Sequence, residues 1–148
     1  SIGQAVIQVT PLQLARAYAV FANGGYLITP HLVDGDIDWL SPEYRQKVDI
    51  KPSTLKTIRE GLLKVVESGT GRNLKLSLPN FPPVAGKTGT AEDSTGGKDH
   101  AWFACFAPYQ SAEIVIVAFA QNTPGGGSVH ALPMAQEILK TWYQSDDK

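Results

Sequence analysis

A chain of 148 residues, 43% hydrophobic and 18% charged, holds enough apolar material for one core and too little for most two-domain proteins. Thirteen Lys and Arg against fourteen Asp and Glu leave a net charge of -1 with no run of one sign, which argues against nucleic acid and anionic membrane surfaces as partners. The single Cys105 excludes an internal disulfide framework and a thiolate metal cluster, and its apolar neighbours predict a buried, unreactive thiol.

The first residues, Ser1-Ile2-Gly3-Gln4, are neither an initiator Met nor a signal peptide, and no apolar run approaches the roughly 20 residues of a membrane helix. The chain therefore reads as a piece of a longer protein. Thr10 as cap and Pro11 at the first helical position predict a helix with Leu14, Tyr18 and Phe21 at helical spacing, stopped by Asn23-Gly24-Gly25. From Thr29 to Pro52 the polar, proline-containing sequence is too aperiodic to assign. Ser53 is expected to cap a second helix, with Leu55, Ile58, Leu62 and Val66 on one face and an end at Ser68-Gly69.

A linker with Pro79, Pro82 and Pro83 leads to three segments of strand length: Val84 to Ala91, Ala101 to Phe106, and Glu113 to Gln121. The last two are apolar on both alternations, which predicts strands covered by helices on both faces. Connectors from Glu92 to Asp99 and from Pro108 to Ala112 are too short for parallel crossovers, so the pairing is expected to be antiparallel. Pro124-Gly125-Gly126-Gly127 then leads into a final helix with Ala131, Ala135, Ile138 and Trp142 on one side, and a tail that frays from Ser145. The fold class is α+β: a three-stranded antiparallel sheet with helices packed on it, one unit over residues 1–148 without internal repeats.

Gly86-Lys87-Thr88-Gly89-Thr90-Ala91 gathers a cation, two hydroxyls and two glycines at the start of a strand. In a regular strand Lys87 and Gly89 share one face and Thr88 and Thr90 the other, and Gly89 admits a ligand close to the backbone. Such an edge suits a carboxylate-bearing peptide added as a strand, with the cation and hydroxyls at its terminus. A nucleotide P-loop would need a glycine where Phe81 stands and a helix after Thr88, so it is set aside.

With this motif the chain resembles the monofunctional, elongation-type penicillin-binding proteins (class B, penicillin-binding protein 2-like), in the C-terminal part of the transpeptidase domain. S-x-x-K, S-D-N and K-T-G are the motifs of this serine β-lactamase-like fold. The resemblance runs in order through Ser1-Ile2-Gly3-Gln4, Val9-Thr10-Pro11-Leu12-Gln13-Leu14-Ala15, Ala22-Asn23-Gly24-Gly25, Ser68-Gly69-Thr70-Gly71, K-T-G, Ala101-Trp102-Phe103 and Phe106-Ala107-Pro108.

It implies a D,D-transpeptidase that cross-links peptidoglycan stem peptides through an acyl-serine and binds β-lactams at that serine. Lys87, Thr88, Gly89 and Thr90 would bind substrate, and the Thr90 backbone N–H would stabilise the oxyanion. It implies no cofactor, and a parent anchored in the bacterial cytoplasmic membrane with this domain outside. The missing N-terminal half would supply the nucleophile. Without it the edge of the Glu113 to Gln121 strand is exposed to self-association. A non-catalytic peptide-binding module and a β-lactam sensor are the alternatives.

Ser53-Thr54-Leu55-Lys56 matches S-x-x-K, but it follows Ser1-Ile2-Gly3-Gln4 where the family's nucleophile motif precedes that stretch, so Ser53 reads as a decoy and a cap. No nucleophile is expected in this chain. Asp34, Asp36 and Asp38 lack the glycine and final Glu of a calcium loop, and His31, His100 and His130 lack zinc spacing, so no metal is expected. His100 reads as a surface histidine, the Asp93 to Asp99 connector as an ordinary turn, and Trp102 and Trp142 as core.

Overall fold

The computed structural model describes residues 8–32, 38–92 and 98–144. Helix α1 (Pro11–Ala22) opens on a reciprocal cap: the Thr10 hydroxyl accepts from the Gln13 amide at 3.2 Å and the Gln13 side chain accepts from the Thr10 amide at 2.8 Å. Gly24 and Gly25 then take φ of 84° and 99°, which turns the chain into β1 (Tyr26–Ile28).

The stretch left unassigned after Thr29 contains β2 (Arg45–Lys47), antiparallel to β1 with Leu27 opposite Gln46. Three-residue strands are too short for a period-2 pattern to register. This hairpin is tied by cations: Arg45 stacks 3.7 Å and Lys47 4.3 Å from the Tyr26 ring centre. Asp34 and Asp36 lie outside the described residues, while Asp38 accepts from the Leu40 amide at 3.0 Å in a local turn.

Helix α2 (Pro52–Glu67) corrects the expected cap, because Lys51 stands at the cap position, without a side-chain bond to the helix, and Pro52 occupies the first turn. A proline belongs where the amide is unused, which moves Ser53 inside the helix. The linker after Gly69 is likewise not featureless: α3 (Arg72–Ser77) lies in it, with Leu74 fully buried.

Strands β3 (Ala85–Ala91), β4 (His100–Ala107) and β5 (Ile114–Ala120) form the antiparallel sheet in that order, each within one residue of the expected bounds. The register aligns Thr88, Phe103 and Ala118 on one face, and Gly89, Trp102 and Phe119 on the other. Helix α4 (Ala131–Gln144) closes the first face: Ala131, Leu132, Ala135 and Leu139 join Phe103, Cys105, Ile116 and Ala118, with Val66 and Leu74 beside them. The buried side of α4 is turned from the expected one, leaving Ile138 45% and Trp142 37% exposed. Side chains at 131, 135 and 139 drift together around the helix, whereas 138 and 142 fall past the seam. Residues 145–148, including the tail, lie outside the described residues.

Helix α1 packs on β4 and β5 from the opposite side, with Ala19 and Val20 buried. It covers only part of that face. Phe106 and Ala104 are buried there, but Trp102, Val117 and Phe119 are half-buried. Trp102 is therefore not the closed-core residue expected, although its ring lies 4.3 Å from that of Phe119.

Candidate functional site

Strand β3 is the outer strand of the sheet and pairs with β4 alone among the described residues. Its alternation is as expected: Lys87 and Gly89 lie on the half-open face with Trp102 and Phe119, and Thr88 and Thr90 on the face toward α4. Lys87 is exposed, and its ammonium donates to the Thr88 carbonyl at 2.6 Å. A ligand anion reaching this face would meet that cation, held at its own strand.

Thr88 is 9% exposed and its hydroxyl lies 2.6 Å from the Thr70 hydroxyl. A side chain at Gly89 would stand 3.2 Å from the Trp102 Cβ, so glycine keeps this stretch of half-open face bare. Gly86 is required for another reason: a Cβ there would be 2.7 Å from the Ala104 oxygen and the Cys105 Cβ.

Thr90 is exposed, and its hydroxyl sits against Gly126. Gly127 lies so close that a Cβ would come within 2.6 Å of the Gly89 carbonyl oxygen and 2.9 Å of the Gly89 nitrogen. The glycine run before α4 thus builds the site's floor. Sequence reasoning treated it only as a lead into the helix, although three consecutive glycines signal a close backbone approach. Thr70 was missed in the same way, despite glycines on both sides.

His100 begins β4 opposite Ala91, half-buried, with its Nδ1 accepting from the Asn122 amide at 3.2 Å and its ring 5.8 Å from Phe119. It stands at the rim of the half-open face, bonded into a turn. His130 bonds the Pro124 carbonyl at 2.6 Å, and His31 stacks on Trp39 at 3.7 Å. Asp99 accepts from the Thr123 amide through its carbonyl at 2.8 Å, and residues 93–97 of its connector lie outside the described residues.

The S-x-x-K pair sits apart from this constellation. Ser53 is exposed in the first turn of α2, and Lys56 is 76% exposed with Glu60 at 3.8 Å. Burial pushes the Cys105 thiol up to about 12, and Tyr18 up to about 12 by burial with a smaller push from Cys105. A thiol held in that range is a core group without nucleophilic character at neutral pH.

Arg59 fastens the opposite end of the sheet. Its guanidinium donates to the carbonyls of Phe21, Ala22 and Tyr109, and lies 5.0 Å from the Phe106 ring centre. The cation meets the C-terminal carbonyls of α1, where the helix dipole favours positive charge.

The peptidoglycan D,D-transpeptidase MrdA of Haemophilus influenzae is 32% identical over 93% of this chain and 24% of its own length. Penicillin-binding protein 2 of Pseudomonas aeruginosa, solved with WCK 5153, superposes with a TM-score of 0.81 at 30% identity, over 99% of this chain and 33% of that one. Penicillin-binding protein A of Mycobacterium tuberculosis, solved as an imipenem acyl-enzyme, gives 0.77 at 26% identity over 97% and 33%. The chain thus spans about a quarter of the curated relative and a third of each solved chain. Residues 1–140 match the penicillin binding protein transpeptidase domain, and the chain belongs to that family.

Proposed function

We propose that this chain supplies the K-T-G wall of a D,D-transpeptidase cleft that cross-links peptidoglycan stem peptides and binds penicillin. The nucleophile comes from residues outside it. The observation that carries this reading is the shared half-open face: Lys87, Gly89, Trp102 and Phe119 lie together on the side of the sheet that α1 leaves partly uncovered. A serine-bearing segment docked there would meet Lys87 and the bare backbone at Gly89.

In the proposed reaction a serine hydroxyl from that segment attacks the carbonyl between two terminal D-alanines. A C–O ester bond forms, the amide C–N bond breaks, and the serine proton leaves on the departing amine. The Thr90 N–H donates to the oxyanion as it develops, and Lys87 from the half-open face, with Thr88 and Thr90 from the other side of the outer strand, holds the substrate's terminal carboxylate at the strand's edge. An amine of a second strand then displaces the serine, one amine proton returning to the serine oxygen as the ester C–O bond breaks, and a new amide replaces the ester. Ser53 takes no part. The full protein is anchored in the bacterial cytoplasmic membrane with this domain outside, by an anchor beyond the described residues, in which no helix is long and apolar enough to cross a membrane.

Intact mass after incubation with a β-lactam tests this reading. The isolated chain should take up no adduct, and the full gene product should take up one, mapped by peptide digestion to a serine preceding Ser1. Stoichiometric acylation of Ser53 would overturn it. A full gene product that binds a β-lactam without turning over stem peptide would favour the sensor reading instead. The isolated chain should also self-associate through the outer edge of β5, which pairs with β4 alone among the described residues. A monodisperse monomer by light scattering would remove that part of the proposal.

A further inference from the structure

We propose that His100 and His130 are positioning residues for the site: His100 accepts from the Asn122 amide, His130 donates to the Pro124 carbonyl, and between them they hold the glycine floor against Gly89 and Thr90. The inference rests on the function proposed above. A backbone N–H can only donate, so the His100 Nδ1 that receives Asn122 at 3.2 Å carries a lone pair there. A proline carbonyl can only accept, so the His130 Nε2 that lies 2.6 Å from the Pro124 oxygen carries a hydrogen. The backbone partners thus fix the role of each ring nitrogen.

The segment they hold needs ties from outside. Residues 121–127 join β5 to α4 without helix or strand of their own, and the chain takes a left-handed φ of 53° at Asn122 and 96° at Gly125. Three consecutive residues of it are gripped: Asn122 by His100, Thr123 through its amide by the Asp99 carbonyl at 2.8 Å, and Pro124 by His130. Both histidines stand on fixed supports. His100 opens β4 opposite Ala91, and His130 immediately precedes Ala131, which is fully buried at the start of α4.

The grip governs the glycines that follow. Gly126 sits against the Thr90 hydroxyl, and a Cβ at Gly127 would come within 2.9 Å of the Gly89 nitrogen and 2.6 Å of its oxygen. The floor is tied on its far side by the amides of Val129 and Leu132, which donate to the Gly126 and Gly127 carbonyls at 3.0 and 2.8 Å. Contact this close transmits a displacement of the floor to the backbone of Thr90, whose N–H the proposed function aims at developing charge. A donor moved by a fraction of an ångström loses transition-state stabilisation before it loses ligand.

The test uses the full gene product and a β-lactam, with stopped-flow acylation separating non-covalent binding from the chemical step. His100→Phe keeps a ring against Phe119 and removes the acceptor, and His130→Phe removes the donor. Each is expected to slow the acylation step about tenfold and to change non-covalent binding less than about twofold. Asn carries its amide oxygen where imidazole carries Nδ1, and Gln carries its amide nitrogen where imidazole carries Nε2. His100→Asn and His130→Gln should therefore recover acylation to within about threefold of the parent, whereas the exchanged pair, His100→Gln and His130→Asn, should not.

Hydrogen exchange reads the grip without chemistry: the Asn122 amide of the full gene product should exchange about tenfold faster in His100→Phe and within about threefold of the parental rate in His100→Asn. Rescue of either position by Asn and Gln alike, a loss confined to non-covalent binding, or an Asn122 amide indifferent to His100→Phe would overturn the inference. A parent protein unreactive toward β-lactams would sink the proposed function and the positioning role together. A reactive parent with unimpaired His100→Phe and His130→Phe variants would sink this inference alone.

Discussion

The two faces of the sheet are built from equally apolar strands and have different fates. Toward α4, Phe103, Cys105, Ile116 and Ala118 are closed over by Leu132, Ala135 and Leu139. On the other side Trp102, Val117 and Phe119 keep contact with solvent beside Lys87 and Gly89. The lesson is that an apolar face is finished only where a helix is available to cover it, and the unfinished part coincides with the residues of chemical interest. Under the proposed function, these half-exposed aromatics beside a cation and a bare backbone are the surface that a serine-bearing segment would complete.

Breaking the closed face should cost most. Phe103→Ala removes a fully buried ring and should lower unfolding free energy by about 3–5 kcal/mol in a denaturant titration, while Phe119→Ala on the half-open face should cost clearly less. Equal losses would erase the distinction between the faces. Arg59→Met strips the donors from the carbonyls of Phe21, Ala22 and Tyr109 and should cost about 2 kcal/mol, detaching α1 from the sheet end. Gly127→Ala forces a methyl onto the Gly89 backbone and should cost about 1–3 kcal/mol. Because the strain falls on the K-T-G strand, the same variant should lose β-lactam reactivity in the full gene product.

A pH titration probes the closed face without mutation. Cys105 rises from an ordinary 9.0 to about 12 in the fold, so its protonated form is the one folding favours. Above pH 9 the unfolded chain releases this proton while the folded chain retains it, and stability falls as pH rises toward 12. Cys105→Ala should lessen that decline and leave the share that Tyr18 contributes, and the native thiol should resist a disulfide-exchange reagent until the protein unfolds. Ser53→Ala should have the smallest effect, within about 0.5 kcal/mol, since Ser53 is exposed and caps nothing.

Much of this arrangement was legible in the residues. The Thr10 cap, the glycines after Asn23 and the double-sided apolar runs around Phe103 and Ile116 act over short range, where sequence pattern and local physics agree. Thus the antiparallel pairing followed from the short connectors, and the facing of Lys87 and Thr88 from alternation. Ser53 misled because a serine and a proline compete for adjacent places at a helix start, and Pro52 has fewer places to go. Trp142 misled because the spacing of apolar residues sets a stripe and not which edge of it faces the core. Thr70 and Gly127 are long-range matters: each serves the K-T-G strand from a distant part of the chain, through one hydroxyl or one missing Cβ, which no local period records.

The most direct test of the account is a crystal structure of the full gene product after soaking with a β-lactam. It should show the acyl carbonyl oxygen at the Thr90 N–H, the ligand carboxylate against Lys87 and Thr88, and the ester on a serine outside these 148 residues. An acyl group on Ser53, or a ligand bound away from the Lys87 to Thr90 strand, would contradict it.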